Sequence, residues 1–178
     1  MDKVRIATCS LAGCFGCHMS LLDIDEKLLD LVELVQFDRS PLTDIKHCQP
    51  CDVGFIEGGL CNQENVEVLL EFRRQCRILV AVGACAITGG VPAMRNGIDV
   101  RECLAEAYLD GSGIVNPQIP DDPELPLLLD KVRPIQDAVD IDYFLPGCPP
   151  SAEIIWEFIT QLLAGKQPQL SQTSIRFD

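Results

Sequence analysis

No stretch of this chain approaches the roughly 18 to 20 consecutive apolar residues that cross a bilayer. No signal peptide or twin-arginine leader precedes the strand-like run that begins at Val4. The expectation is a soluble, cytoplasmic protein. Positive charge is scarce as well: 14 Lys and Arg stand against 27 Asp and Glu, a net charge of -13. That balance argues against nucleic acid and anionic membrane surfaces as partners and is compatible with a basic partner subunit. Repeats of solenoid period and low-complexity tracts are absent, so neither scaffold architecture is supported. A Gly-x-Gly-x-x-Gly dinucleotide fingerprint is also missing.

Cysteine, by contrast, is abundant. Ten cysteines in 178 residues are not expected to be disulfides in a reducing cytosol, where metal binding or redox chemistry is the commoner use. Free Cys is also among the most buried residue types, so some of the ten are expected to be small core residues. The length suits one compact domain over residues 1–178, with a core that needs no covalent staples. A hydrophobic content of 47% is high for so charged a chain and suggests apolar surface covered by another protein.

Apolar runs and helical spacing alternate along the sequence. Val4 to Cys9 reads as a strand, Leu11 to Cys17 as a glycine-bearing loop, and Met19 to Val35 as one helix with Leu21, Leu22, Leu28, Leu29, Val32 and Val35 on its apolar stripe. Val53 to Glu57 is a second strand ended by Gly58-Gly59, Asn62 to Gln75 an amphipathic helix, and Ile78 to Val82 a third strand. The prolines between Gly111 and Pro134 predict an irregular surface excursion there. Ile141 to Leu145 gives another strand, Pro146 to Pro150 a rigid turn, and Ala152 to Leu163 a closing helix capped by Ser151. The polar tail after Lys166 is expected to lie on a partner. Strands apolar on both faces, alternating with helices, indicate a doubly wound α/β class with a mostly parallel, flavodoxin-like sheet.

Four cysteines follow closely on these strands: Cys14 and Cys17 in a C-x-x-C loop, Cys85 in Val-Gly-Ala-Cys, and Cys148 in Pro-Gly-Cys-Pro-Pro. Ligands of open α/β sheets bind beyond the carboxyl ends of the strands, so one edge collects all four thiols. Four soft thiolates suit an iron–sulfur cluster, with zinc and plain buried thiols as the alternatives. Gly13, Gly16, Gly83 and Gly147 allow close backbone approach to a bulky anion, and Pro146, Pro149 and Pro150 preset the last turn.

The segments Leu11 to Asp23, Ile56 to Gly59, Val82 to Gly90 and Leu145 to Pro150 together resemble, in order, the motifs of the small subunit of a [NiFe] hydrogenase. Asp23-Ile-Asp-Glu and Val91-Pro-Ala-Met-Arg-Asn resemble the soluble NAD-reducing type within that family. The resemblance implies that Cys14, Cys17, Cys85 and Cys148 hold a proximal [4Fe–4S] cluster, beside a Ni–Fe centre in a separate large subunit that splits hydrogen. Electrons would then pass to flavin- and iron–sulfur-containing NAD-reducing (diaphorase) subunits. Many relatives carry a further cysteine-rich segment with two more clusters; none follows Cys148 here, so one cluster is expected. The related respiratory complex I subunit has two adjacent cysteines where this chain has Cys14-Phe15-Gly16-Cys17, which favours hydrogenase. FMN is not expected in this chain, since Leu11 to Cys17 offers no run of hydroxyls for a phosphate. The alternatives are a soluble hydrogenase with another acceptor and a non-catalytic metal- or flavin-binding protein.

Other residues invite function. Glu57, ending an apolar strand at the cluster edge, is read either as a proton relay with a pKa raised by desolvation or as a carboxylate that orders the loop. His18 is expected to begin the helix, with a hydrogen bond to a cluster sulfur as the alternative. Arg95 is expected to be solvated or to face the large subunit. His47, Cys48, Cys51 and Cys61 have zinc-like spacing, but Cys61 falls at the far end of the strand that Cys48 and Cys51 precede. Cys9, Cys76 and Cys103 are read as core or incidental.

Overall fold

The computed structural model describes residues 3–170. In chain order its elements are β1 (Val4–Ser10), α1 (Gly16–Leu22), α2 (Lys27–Leu34), β2 (Val35–Phe37), β3 (Cys51–Glu57), β4 (Leu60–Asn62), α3 (Gln63–Gln75), β5 (Cys76–Val82) and α4 (Gly83–Thr88). A 3-10 turn (Val91–Gly97), α5 (Val100–Ala105) and a π turn (Glu106–Asp110) lead to β6 (Leu128–Arg133), β7 (Tyr143–Leu145) and α6 (Ala152–Leu163).

Five strands form one parallel sheet in the order β2-β1-β3-β5-β7. Counting only those five, the order is 2-1-3-4-5, the flavodoxin-like arrangement, whose winding reverses between β1 and β3. Side-chain alternation along each strand feeds two cores. Val53, Phe55, Val80 and Val82 meet Leu21, Leu31, Ile155 and Phe158 of α1, α2 and α6 on one face. Ile56, Leu79 and Ala81 meet Leu69 and Phe72 of α3 and Ala86 of α4 on the other. Burial on both faces is why these strands read as continuous apolar runs.

Two expectations are corrected. The stretch Met19 to Val35 is not one helix: α1 stops at Leu22, Asp25 takes a positive φ of 54°, and α2 begins at Lys27. Ile24 is buried in the break, and Val35 already belongs to β2. The excursion between Gly111 and Pro134 does contain regular structure, because β6 pairs antiparallel with β4 (Leu60↔Arg133, Asn62↔Leu128) as a small second sheet. Ser151 caps α6 as expected, accepting the Ile154 N–H. The part of the tail from residue 171 onward lies outside the described residues. Among the described residues no helix is long and apolar enough to cross a membrane.

Candidate iron–sulfur site

The loops after β1, β3, β5 and β7 meet at the carboxyl edge of the sheet, at the point where its winding reverses. Cys14, Cys17, Cys85 and Cys148 line one crevice there, with Gly13, Gly16, Glu57, Gly58, Ala84, Gly147 and Pro149. Cys14 and Cys148 are exposed and Cys17 and Cys85 half-buried. The structure thus brings together the four cysteines singled out in the sequence.

Backbone hydrogen bonds lock these loops to one another. Leu11 N–H donates to the Glu57 carbonyl (2.9 Å), Ala12 and Gly59 exchange a pair of bonds (3.1 and 2.8 Å), and Ala84 N–H donates to the Gly147 carbonyl (2.8 Å). Ser20 Oγ donates to the Pro150 carbonyl, tying α1 to the Cys148 turn. Two glycines are required sterically. A Cβ on Gly83, at a φ of 81°, would overlap the Cys17 sulfur, and one on Gly90 would come within 2.8 Å of the Cys85 sulfur.

The spacing of the donors discriminates between metals. No three of the four sulfurs lie within 4.8 Å of one another, since the one such group of His, Cys, Asp or Glu ligand atoms among the described residues is found elsewhere. A tetrahedral zinc with Zn–S bonds of about 2.3 Å draws its sulfurs to about 3.8 Å from each other. The wider set fits a polynuclear cluster, with thiolates on its periphery, better than one ion. Burial, reinforced by the Glu57 carboxylate, pushes the Cys17 thiol well above its ordinary pKa. Burial also raises Cys85, against a hydrogen bond from the Val91 backbone. Neither thiol ionises readily unless a metal takes the place of the proton.

Glu57 and His18 underlie this edge. Glu57 Oε2 accepts the Cys17 N–H at 3.0 Å, and Oε1 stands 2.6 Å from His18 Nδ1. His18 Nε2 contacts Thr8 Oγ1 at 2.8 Å, which in turn contacts Ser40 Oγ at 2.7 Å. Phe15 stacks on the imidazole with ring centroids 4.7 Å apart. The expected rise in the Glu57 pKa is corrected. Burial alone would push it up, but the hydrogen bond and charge of His18, with donors from Ser10 and Cys17, hold it below the usual carboxylate range. His18 lies in the first turn of α1 as expected, and its ring serves Glu57 rather than a sulfur. Arg95 is tied inward instead of standing free, donating to the carbonyls of Leu129 (2.7 Å) and Asp130 (3.0 Å) on β6.

Of the second set, Cys61 sits on β4 beside Asn65 and His47 is exposed, while Cys48 and Cys51 are buried together at the opposite, amino edge. Asp38, which the sequence did not single out, joins these two. Cys9 and Cys76 are core residues and Cys103 is half-buried on α5.

Comparisons with known proteins identify the family of the chain. Residues 14–162 match the family model described as NADH ubiquinone oxidoreductase, 20 Kd subunit. The delta subunit of the NAD-reducing hydrogenase HoxS of Cupriavidus necator is 45% identical over 99% of this chain and 86% of its own length. A subunit of the F420-non-reducing hydrogenase of Methanothermobacter marburgensis is 38% identical over 98% of this chain, which spans 58% of that protein. Among solved structures, a chain of an NAD+-reducing [NiFe]-hydrogenase in the H2-reduced state superposes with a TM-score of 0.98. Its identity is 57%, over 99% of this chain and all of that one. A [NiFeSe]-hydrogenase from Dm. baculatum, at 15% identity and a TM-score of 0.58, shares the fold over 98% of this chain and 70% of its own. The chain therefore belongs to the NADH ubiquinone oxidoreductase 20 Kd subunit family, on its hydrogenase branch, as an electron-transferring small subunit of the NAD-reducing [NiFe] type.

Proposed function

We propose that Cys14, Cys17, Cys85 and Cys148 hold one [4Fe–4S] cluster in a single flavodoxin-like domain spanning residues 1–178. Through it the chain relays electrons from the Ni–Fe centre of a large subunit toward flavin- and iron–sulfur-containing NAD-reducing subunits in the cytoplasm. The observation that carries this reading is the convergence of four thiols from three strand ends on one crevice, at a spacing too wide for a single ion. The cluster, when bound, supplies one-electron redox capacity; hydrogen splitting belongs to the partner.

This chain's own residues place and insulate that group. Glu57 fixes the Cys17 backbone, Gly83 and Gly90 leave room for the sulfurs, and the Val91 N–H is aimed at Cys85. Hydrogen bonds to cluster sulfurs are one of the terms that set a reduction potential. Met19, Val91 and Met94 stand 50%, 65% and 77% exposed on segments that flank Cys17 and Cys85. Apolar side chains of that size at the mouth of a redox site are suited to burial against the large subunit.

A second reading, another soluble hydrogenase complex with a different acceptor, is favoured by the likeness to the F420-non-reducing hydrogenases, over only 58% of the length of the matched subunits. Copurification followed by hydrogen-dependent NAD reduction separates the two. NAD reduction is expected; activity with another carrier and none with NAD moves the chain to the sister group.

A further inference from the structure

A second thiol cluster lies at the amino edge of the sheet, with the length of β3 between it and the crevice. Cys48 precedes β3, Cys51 opens it, Cys76 opens β5 directly opposite Cys51, and Asp38 follows β2. All four are buried. A carboxylate oxygen of Asp38 and the sulfurs of Cys48 and Cys51 lie within 4.8 Å of one another. Cys76, paired with Cys51 across the β3–β5 register, is buried beside them but outside that 4.8 Å group. We propose that Asp38, Cys48 and Cys51, completed by Cys76, form a structural zinc site that pins the segment between β2 and β3 to the sheet.

Three of the donors here lie within 4.8 Å of one another, as no three of the crevice sulfurs do. Three ligand atoms within 4.8 Å need only small side-chain adjustments to reach the roughly 3.8 Å edge of a tetrahedron built on Zn–S bonds of about 2.3 Å. Cys76, moving in from just outside that group, would complete three thiolates and a carboxylate, a four-donor set with no open position, as a structural rather than catalytic zinc requires. Asp38 is already oriented as a ligand would be. Its Oδ1 accepts the Arg39 N–H (2.8 Å) and the Gln49 N–H (3.0 Å), and its Oδ2 pairs with the Arg5 guanidinium.

Arg5 adds an independent sign. Its Nε is the one buried side-chain nitrogen or oxygen among the described residues without a hydrogen-bond partner. Its positive charge acts on Cys51. A Cys51 thiolate bound to zinc gives that region the negative charge that an arginine and an orphan donor both favour, and Arg5 offsets part of the charge that four anionic ligands leave around a divalent ion.

A disulfide between Cys48 and Cys51 accounts for less. It has no use for the Asp38 carboxylate that lies within 4.8 Å of both sulfurs. Zinc displaces the proton on binding. The segment from Asp38 to Pro50 contains no helix or strand, so a metal clip at its two ends supplies order that backbone pairing does not.

The test is metal analysis of the purified hydrogenase complex carrying either the wild-type chain or a Cys48→Ser, Cys51→Ser variant. About one zinc per small subunit is expected in the wild type, with a loss of at least roughly tenfold in the variant, while iron content and hydrogen turnover persist. Zinc X-ray absorption on the wild-type complex is expected to give sulfur together with an oxygen or nitrogen neighbour, and it decides the matter even if the variant fails to accumulate. Zinc-free wild-type complex, zinc without sulfur neighbours, equal zinc in both complexes, or a Cys48–Cys51 disulfide in a peptide map overturns the proposal. Loss of iron with zinc retained would defeat the electron-relay reading instead and leave this one standing.

Discussion

Glu57 Oε1 and His18 Nδ1 stand 2.6 Å apart, each side chain only 4% exposed, directly beneath the loop that carries Cys17. The second carboxylate oxygen accepts the Cys17 N–H, so one side chain satisfies a buried imidazole and orients a cluster loop at once. An ionised Glu57 makes Nδ1 the donating nitrogen and leaves Nε2 to Thr8. Because these partners hold its pKa down despite burial, Glu57 keeps its charge at neutral pH. A relay needs a carboxyl that exchanges protons near the working pH, and Glu57 is a positioning residue by that criterion.

Replacing Glu57 separates positioning from proton transfer. Glu57→Gln keeps an acceptor for Cys17 and a polar partner for His18, so iron content and the pH profile of hydrogen turnover are expected to stay near wild type. Glu57→Ala leaves a buried donor unpaired at a cost of ~1–3 kcal/mol, and a lower thermal midpoint with reduced iron per chain is expected. A turnover profile displaced in Glu57→Gln, with iron unchanged, would restore the relay reading.

Gly83 offers a steric test of the same edge. An alanine there meets both an unfavourable positive φ and the Cys17 sulfur. The strain is expected to cost on the order of 1–3 kcal/mol, and cluster iron should fall more than secondary structure does. Iron analysis beside far-ultraviolet circular dichroism reads both; full iron occupancy in Gly83→Ala would mean that the loop moves more freely than its packing suggests.

How much of this was legible in the sequence differs from element to element. β1, β3 and β5 were readable because burial on both faces makes each a short apolar run, and the crevice followed from where those runs end. The break between α1 and α2 was hidden because Leu21, Ile24, Leu28 and Leu31 keep a helix-like spacing across a turn made by Asp25 at positive φ. β6 was missed since its evidence is nonlocal: Leu128 and Arg133 acquire strand geometry only by pairing with Asn62 and Leu60. The His18–Glu57 pair had a faint signal, as two polar residues at the ends of otherwise apolar segments, but nothing in the spacing joins residues 39 positions apart. Asp38 and Cys76 reach Cys48 and Cys51 only through the sheet order, so a zinc-like spacing could not have named them.

Acid stability should depend on Asp142. Burial pushes its carboxyl up, but the Arg73 guanidinium at 2.8 Å and the Leu79 N–H at 2.8 Å outweigh that and hold it below the usual range. Since the folded value is depressed, this contribution is fully present above the ordinary aspartate pKa of about 3.9 and is lost as pH falls through the lower folded value. Asp142→Asn is expected to be less stable than wild type at pH 7 and to converge with it in denaturant titrations as pH falls below the ordinary aspartate range. A constant difference across that window would show that the charge is not what matters.

The apolar rim should govern assembly. Val91, 65% exposed beside Cys85, is expected to be buried by the large subunit, and Val91→Glu should weaken copurification of that subunit by roughly tenfold or more, the effect of about 1.4 kcal/mol or above. The isolated chain's thermal midpoint should be unaffected, because the residue is exposed in it. Unchanged recovery of the partner would place the interface on another face.

The most direct measurement is iron and acid-labile sulfide analysis of the purified complex, paired with low-temperature electron paramagnetic resonance after hydrogen reduction, for the wild-type chain and for Cys85→Ala. About four iron atoms and four sulfides attributable to this chain are expected, with a reduced-cluster signal that Cys85→Ala removes or alters. Zinc in place of iron at the crevice, or a wild-type cluster signal that persists unchanged in Cys85→Ala, would contradict a four-cysteine iron–sulfur relay in this subunit.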